Sequence, residues 1–344
     1  MNFFEEERQT SDDVVRGTND DATVSRCSAV TLGYLKDPFV HLFVKKPVRR
    51  SPIINRGEKG TFIRSYAIDS LVSQFLAMEG PKKQIVALGA GFDTRYFNIK
   101  AGNLDNENEK LSSHLSKYFE VDFPEITMKK AMLIKKRKEL SCLLDDLDQV
   151  KIERGGMDLK STSYCLLGAD LRKWSDIAHQ LVEAGLDLAA PTLFLSECVF
   201  IYLAPEDTNT ILKWITDYMK NTLFALYEQI HPDDAFGKMM IRNLKSRNID
   251  LKGIHAFPDL IHQEKRFLDL GWQHAKAVDI NTIHDKYLDR KEIARMARLE
   301  ILDELEEWHL LSAHYCVAWA FKSENYETEF SKVQLQPQSP IPIN

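Results

Sequence analysis

Through the middle of this 344-residue chain, unbroken apolar runs alternate with stretches whose apolar residues recur at helical intervals. The first run, IVALGAG (85–91), has no polar alternation, the pattern of a strand buried on both faces of a parallel sheet. Four more follow: KYFEVDFP (117–124), SYCLLGADL (163–171), PTLFLSECVFIYL (191–203) and TLFALYEQI (222–230). Between them, 125–140, 173–185 and 205–220 carry helical spacing. The alternation predicts an α/β fold, a mostly parallel sheet with helices on both faces. Upstream, helical spacing covers Thr23 to Phe43 and Phe62 to Met78, the latter stopped by Gly80-Pro81. Downstream, helices at 235–247 and 259–270 precede two strand-like runs, 271–280 and 314–322, around an acidic, helix-rich insertion at 290–309. Two late strands after five βα units predict an antiparallel C-terminal pair.

Polar segments set the boundaries. Residues 1–22 are polar and acidic and predict a disordered arm. Residues 326–344 end in a proline-rich stretch and predict a disordered tail. The polar stretch 101–116 reads as an insertion, and no linker divides 23–325, which is expected to be one domain.

Composition narrows the chemistry. A hydrophobic fraction of 44% supports a real core, and a net charge of −6 supplies no basic field for nucleic acid or an anionic membrane. The five cysteines lack CxxC spacing and the ten histidines lack HxxxH or HExxH, so no metal site is expected. The acidic start is not a signal peptide, and the longest apolar stretch, Thr192 to Leu203, is broken by Ser196-Glu197. A cytoplasmic, or nuclear, reducing setting and a monomer are expected.

The turn after the first run points to a ligand. Gly89 and Gly91 allow a tight bend and close approach. A dinucleotide fingerprint would need glycine where Thr94 stands, and no GK[ST] follows, which excludes a P-loop. Alone, GxG is as readily a plain turn. The next three strands, however, end in Asp122, Asp170 and Glu197. Singly each acid suits a helix cap. At four successive strand ends, GxG, Asp, Asp and Glu outline a crevice for an adenosine bearing a cationic group, S-adenosylmethionine over NAD.

GAGFDTR, KYFEVDFP, GADLR and ECVFIY, in this order, resemble the leucine carboxyl methyltransferase family. VRGTNDDA (15–22), GYLKDPF (33–39), INRG (54–57), LKWI (212–215), YEQI (227–230), FGKMMIRNL (236–244) and HYCVAWA (314–320) extend the similarity over nearly the whole chain. The resemblance implies a Rossmann-like methyltransferase with N-terminal helices and a helical lid. Its substrate would be the C-terminal leucine carboxylate of the protein phosphatase 2A catalytic subunit, whose holoenzyme assembly the ester would regulate. It puts Gly89 under the methionine moiety with Gly91 also binding the cofactor, Asp122 on the ribose, Asp170 and Leu171 on the adenine, and Glu197 in the cofactor pocket. Arg64, in TFIRSYA, and Arg26, in TVSRCSAV, fall near the cofactor and substrate carboxylates, and Tyr202 beside the substrate. Because GEKGTF separates INRG from Arg64, Arg56 competes for that role. Asp207 to Met219 and Ala235 to Leu270 are candidates for covering the pocket, and the basic run 129–138 reads as a solvated helix face. Transfer-RNA and small-molecule methyltransferases of the same superfamily remain as alternatives. A substrate carboxylate has a pKa of about 3.5, so it is already ionised and no general base is needed.

Overall fold

The computed structural model describes residues 11–44, 52–105, 110–299 and 305–338, with side chains of 52–59 excepted. Nine strands form one mixed sheet: β1 (Lys83–Leu88), β2 (Leu115–Asp122), β3 (Lys151–Glu153), β4 (Asp158–Lys160), β5 (Tyr164–Gly168), β6 (Thr192–Glu197), β7 (Asn221–Gln229), β8 (His274–Asp279) and β9 (Tyr315–Ser323). Their order is β3-β4-β5-β2-β1-β6-β7-β9-β8. The five apolar runs make the parallel centre β5-β2-β1-β6-β7, and β9 and β8 add the antiparallel pair. Strand order reverses at β1, which opens a crevice past the carboxyl ends of β1 and β6.

Alternate residues of β1 enter opposite layers. Ile85 and Ala87 pack with α2 (Pro52–Ala77) and α3 (Arg95–Lys100), through Ile63, Leu71, Phe75, Tyr96 and Phe97. Val86 and Leu88 pack with Trp174, Leu181, Ile211, Ile215 and Phe267 on the other face. Among the described residues no helix is long and apolar enough to cross a membrane.

Several expected boundaries move. The segment expected as an arm through residue 22 is helical from Ser11, in α1 (Ser11–Thr31). Asp12 and Asp13 in its first turn suit the helix dipole, and Asn19 accepts the Phe92 N–H at 2.8 Å. Thr23 to Phe43 is not one helix; α1 ends at Thr31 and Gly33 turns at φ +86°. The tail holds a helix, Glu327–Lys332, because Phe330, Val333 and Leu335 are buried, Phe330 with its ring 6.1 Å from Phe75. The run 191–203 is strand only to Glu197; Cys198 takes φ +55° and sends the chain into the turn Phe200–Tyr202. Strands β3 and β4 were not legible as apolar runs. The helix expected over 125–140 divides after α4 (Pro124–Lys136), and a short second helix follows at Lys138–Ser141.

Candidate active site

The glycine turn is held from three sides. The Gly89 N–H donates to Val121 O at 2.7 Å, and Gly89 and Gly91 take φ of +61° and +52°, the region glycine enters freely. A Cβ on Gly89 would lie 2.4 Å from Val199 Cγ2, and one on Gly91 2.5 Å from Asn19 Oδ1. The turn is thus wedged between α1 and the chain leaving β6. At the end of β2, one oxygen of Asp122 accepts the Gly91 N–H and the other the Phe123 N–H, both at 2.7 Å. Burial pushes this carboxyl up, and the two backbone donors only partly oppose it. Each oxygen keeps a further lone pair.

Past β5, Asp170 caps the turn Leu171–Lys173 through the Arg172 N–H at 3.0 Å and pairs with the Arg172 guanidinium at 2.7 Å. Burial works against its charge, but Arg172 outweighs it and holds the carboxyl below the usual range. Arg172 also reaches Asp12 of α1 at 2.6 Å, and Leu171 is buried beside them.

Past β6, Glu197 divides its oxygens between two arginines: one accepts Arg64 Nε at 2.6 Å, the other Arg95 Nη2 at 3.0 Å. Burial would raise this carboxyl, yet the two guanidiniums pull it down to about 2. Arg64 also lies over the Tyr227 ring, 4.8 Å from its centroid. Arg64 lines the cavity, and its terminal nitrogens make no hydrogen bond among the described residues. Arg26 donates from Nε to Asp37 at 2.7 Å and from Nη1 to Ser65 Oγ at 3.0 Å. Burial pushes the Tyr202 hydroxyl well above its ordinary pKa, so it stays protonated.

One cavity of about 510 Å³ brings together Arg26, Arg64, Gly89, Gly91, Asp122, Asp170, Leu171, Glu197 and Tyr202. The side chain of Arg56 lies outside the described residues. Of the two segments expected to cover the pocket, only the second contributes, through Leu244, Arg247, Ile249, Asp250 and Lys252. The helix Pro205–Tyr218 instead buries Ile211, Leu212 and Ile215 against the sheet, because its apolar stripe belongs to the core layer. Lys130 leaves the solvated basic face: it is fully buried, paired with Glu120, and donates to Asp93 O at 2.7 Å, while 135–138 are exposed.

Reasoning from the sequence missed Asn19, Arg95, Trp308 and Tyr315, which also line the cavity. Arg95 stood inside the quoted GAGFDTR and Asn19 inside VRGTNDDA, whereas nothing local marked Trp308. Among the described residues no cluster of three His, Cys, Asp or Glu could hold a metal.

The pattern of the family described as "Leucine carboxyl methyltransferase" matches residues 16–216. "Leucine carboxyl methyltransferase 1 homolog" of Arabidopsis thaliana is 46% identical over 307 residues, 89% of this chain and 88% of that protein. "Leucine carboxyl methyltransferase 1" of Bos taurus is 38% identical over 315 residues, 91% of each chain. "tRNA wybutosine-synthesizing protein 4" of Homo sapiens is 37% identical over 316 residues, 90% of this chain but 44% of that longer protein.

Proposed function

The chain belongs to the leucine carboxyl methyltransferase family and is an S-adenosylmethionine-dependent carboxyl methyltransferase, and we propose that it esterifies the C-terminal leucine of the protein phosphatase 2A catalytic subunit. Arg64 carries this reading. Its Nε is committed to Glu197 and its face to Tyr227, while the residue lines the cavity and its terminal N–H groups are unpaired among the described residues, a receptor suited to a carboxylate.

The residues fit the cofactor. A cavity of about 510 Å³ falls within the range of small-ligand sites, roughly 300–1,000 Å³. Asp122 has lone pairs left for two ribose hydroxyls, and Phe123, Ile126, Ala169 and Leu171 offer an apolar wall for adenine beside Asp170. When bound, S-adenosylmethionine supplies an electrophilic methyl group on a sulfonium.

The protein's own work is alignment. The reaction presents two carboxylates, that of the cofactor's methionine and that of the acceptor, and Arg26 and Arg64, both lining the cavity, are the arginines assigned to them. Arg64 would orient the acceptor carboxylate and Arg26 would hold the methionine carboxylate of the cofactor. Tyr202 stays protonated, so its hydroxyl donates a hydrogen bond to the acceptor and does not remove a proton. Trp308, Leu311 and Tyr315 add largely apolar lining to the cavity, and water displaced from it on binding would strengthen the charge interactions inside. Holding the reacting atoms in line supplies most of what such a displacement needs.

The test is transfer of labelled methyl to the phosphatase catalytic subunit, to the same subunit lacking its terminal leucine, and to transfer RNA. Labelling of the intact subunit alone is expected. Equal labelling of the truncated subunit, or labelling of the RNA alone, overturns the reading.

A further inference from the structure

We propose that Arg95 is a positioning residue for methyl transfer, acting on Arg64 through Glu197; this rests on the role given to Arg64 above. Arg95 is the part of GAGFDTR that the glycine turn does not explain. Its side chain is 3% exposed, and each arm of the guanidinium ends on a different carboxylate: Nε on Asp69 at 2.7 Å, Nη1 on Asp93, and Nη2 on Glu197 at 3.0 Å. Burial disfavours its charge, but the surrounding carboxylates more than compensate, so it stays a fixed cation.

The geometry gives this fork a task beyond packing. Glu197 touches Arg64 through one oxygen only, at Nε. A carboxylate held at one oxygen can turn about its last side-chain bond, and the partner guanidinium turns with it. Arg95 takes the second oxygen and fixes the carboxylate plane. Its other arms end on α2, which also carries Arg64, and on Asp93 beside the glycine turn. Arg95 therefore ties α2, the glycine turn and the end of β6 into one frame, and the unpaired edge of Arg64 inherits its direction. A lysine keeps the charge but replaces the planar fork with a single point, which cannot serve three carboxylates at these angles.

The test is a double-mutant cycle on the full chain with Arg95→Lys, Arg64→Ala and both together. It reads kcat/KM for the phosphatase subunit, cofactor affinity by calorimetry, and Tm. A misplacement of about 1 Å can cost on the order of 100-fold. Arg95→Lys is therefore expected to lower, by ~10-fold or more, whichever parameter Arg64→Ala lowers. The double variant should be no worse than Arg64→Ala alone. Independent, multiplicative losses, or a fall in Tm with that parameter unchanged, would overturn the proposal. If Arg64→Ala impairs neither methylation nor cofactor binding, the reading of Arg64 itself fails, a separate outcome. Should Arg95→Lys not fold, Asp69→Asn removes one anchor and leaves Glu197 untouched. The same shared loss, smaller in size, is then expected, and an additive one refutes the proposal.

Discussion

Replacing Glu197 by glutamine tests the electrostatics of the site directly. The carboxyl is pulled from an ordinary value of 4.5 to about 2 because Arg64 and Arg95 outweigh the cost of burying it. At 1.36 kcal/mol per pKa unit, that gap stores ~3 kcal/mol of folding stability. A second route agrees: removing one partner from a buried ion pair costs about 3–5 kcal/mol. Glutamine keeps the shape but can accept only at one end, so its amide NH2 must face one of the two guanidiniums. The sign follows from the lowered pKa. The contribution is complete above about 4.5, where an unfolded glutamate is ionised, and is lost as pH falls toward 2. Urea unfolding of wild type and Glu197→Gln should differ by ~3 kcal/mol at pH 7, with the gap shrinking as pH falls below about 4.5. A gap that does not change with pH would mean that the glutamate acts by shape alone. A gap under ~1 kcal/mol at pH 7 would place the pair among weak surface ion pairs and refute the reasoning.

Two further substitutions probe the turn and the strand beside it. Gly89→Ala should destabilise by about 2–4 kcal/mol, since φ of +61° costs alanine ~1 kcal/mol and its Cβ would meet Val199 Cγ2 at 2.4 Å. Adding Val199→Ala should recover only the steric share in thermal melts; no recovery would contradict the clash. Asp122→Asn leaves either the Gly91 or the Phe123 N–H facing an amide NH2, a loss of ~1–3 kcal/mol. Calorimetry should show S-adenosylmethionine bound at least about 10-fold more weakly, and unchanged affinity would remove Asp122 from the site.

The parallel centre was legible because its strands are buried on both faces and therefore apolar without interruption. The hairpin β3–β4 was not, because its strands are three residues each and carry Lys151, Glu153, Asp158 and Lys160. Helix α1 failed for a different reason. It lies along a polar cavity, so the positions it turns inward include Thr18, Asn19, Thr23 and Arg26. An apolar stripe is the signal hydrophobic periodicity detects, and a helix that covers a charged site has none to offer. In the tail, the prolines outweighed Phe330, Val333 and Leu335, each of which finds its cover on elements far away in sequence.

The same limit explains which half of the site could be read. Gly89, Asp122, Asp170 and Glu197 sit at strand ends, and strand topology alone gathers strand ends at one edge. The arginines come from α1, α2 and α3, and their value to a ligand depends on what the protein leaves unpaired. Arg95 spends all three arms on Asp69, Asp93 and Glu197, so it can hold but not bind. Arg26 spends two nitrogens on Asp37 and Ser65 and, among the described residues, keeps one. Arg64 spends one and, among the described residues, keeps an edge. Three identical side chains therefore receive a graded set of capacities, set by acids at 37, 69, 93 and 197 that no spacing rule connects to them. Of these three arginines, Arg64 is the one with most donors left for a carboxylate among the described residues, because Arg95 is fully engaged and Arg26 is engaged at two of its three nitrogens.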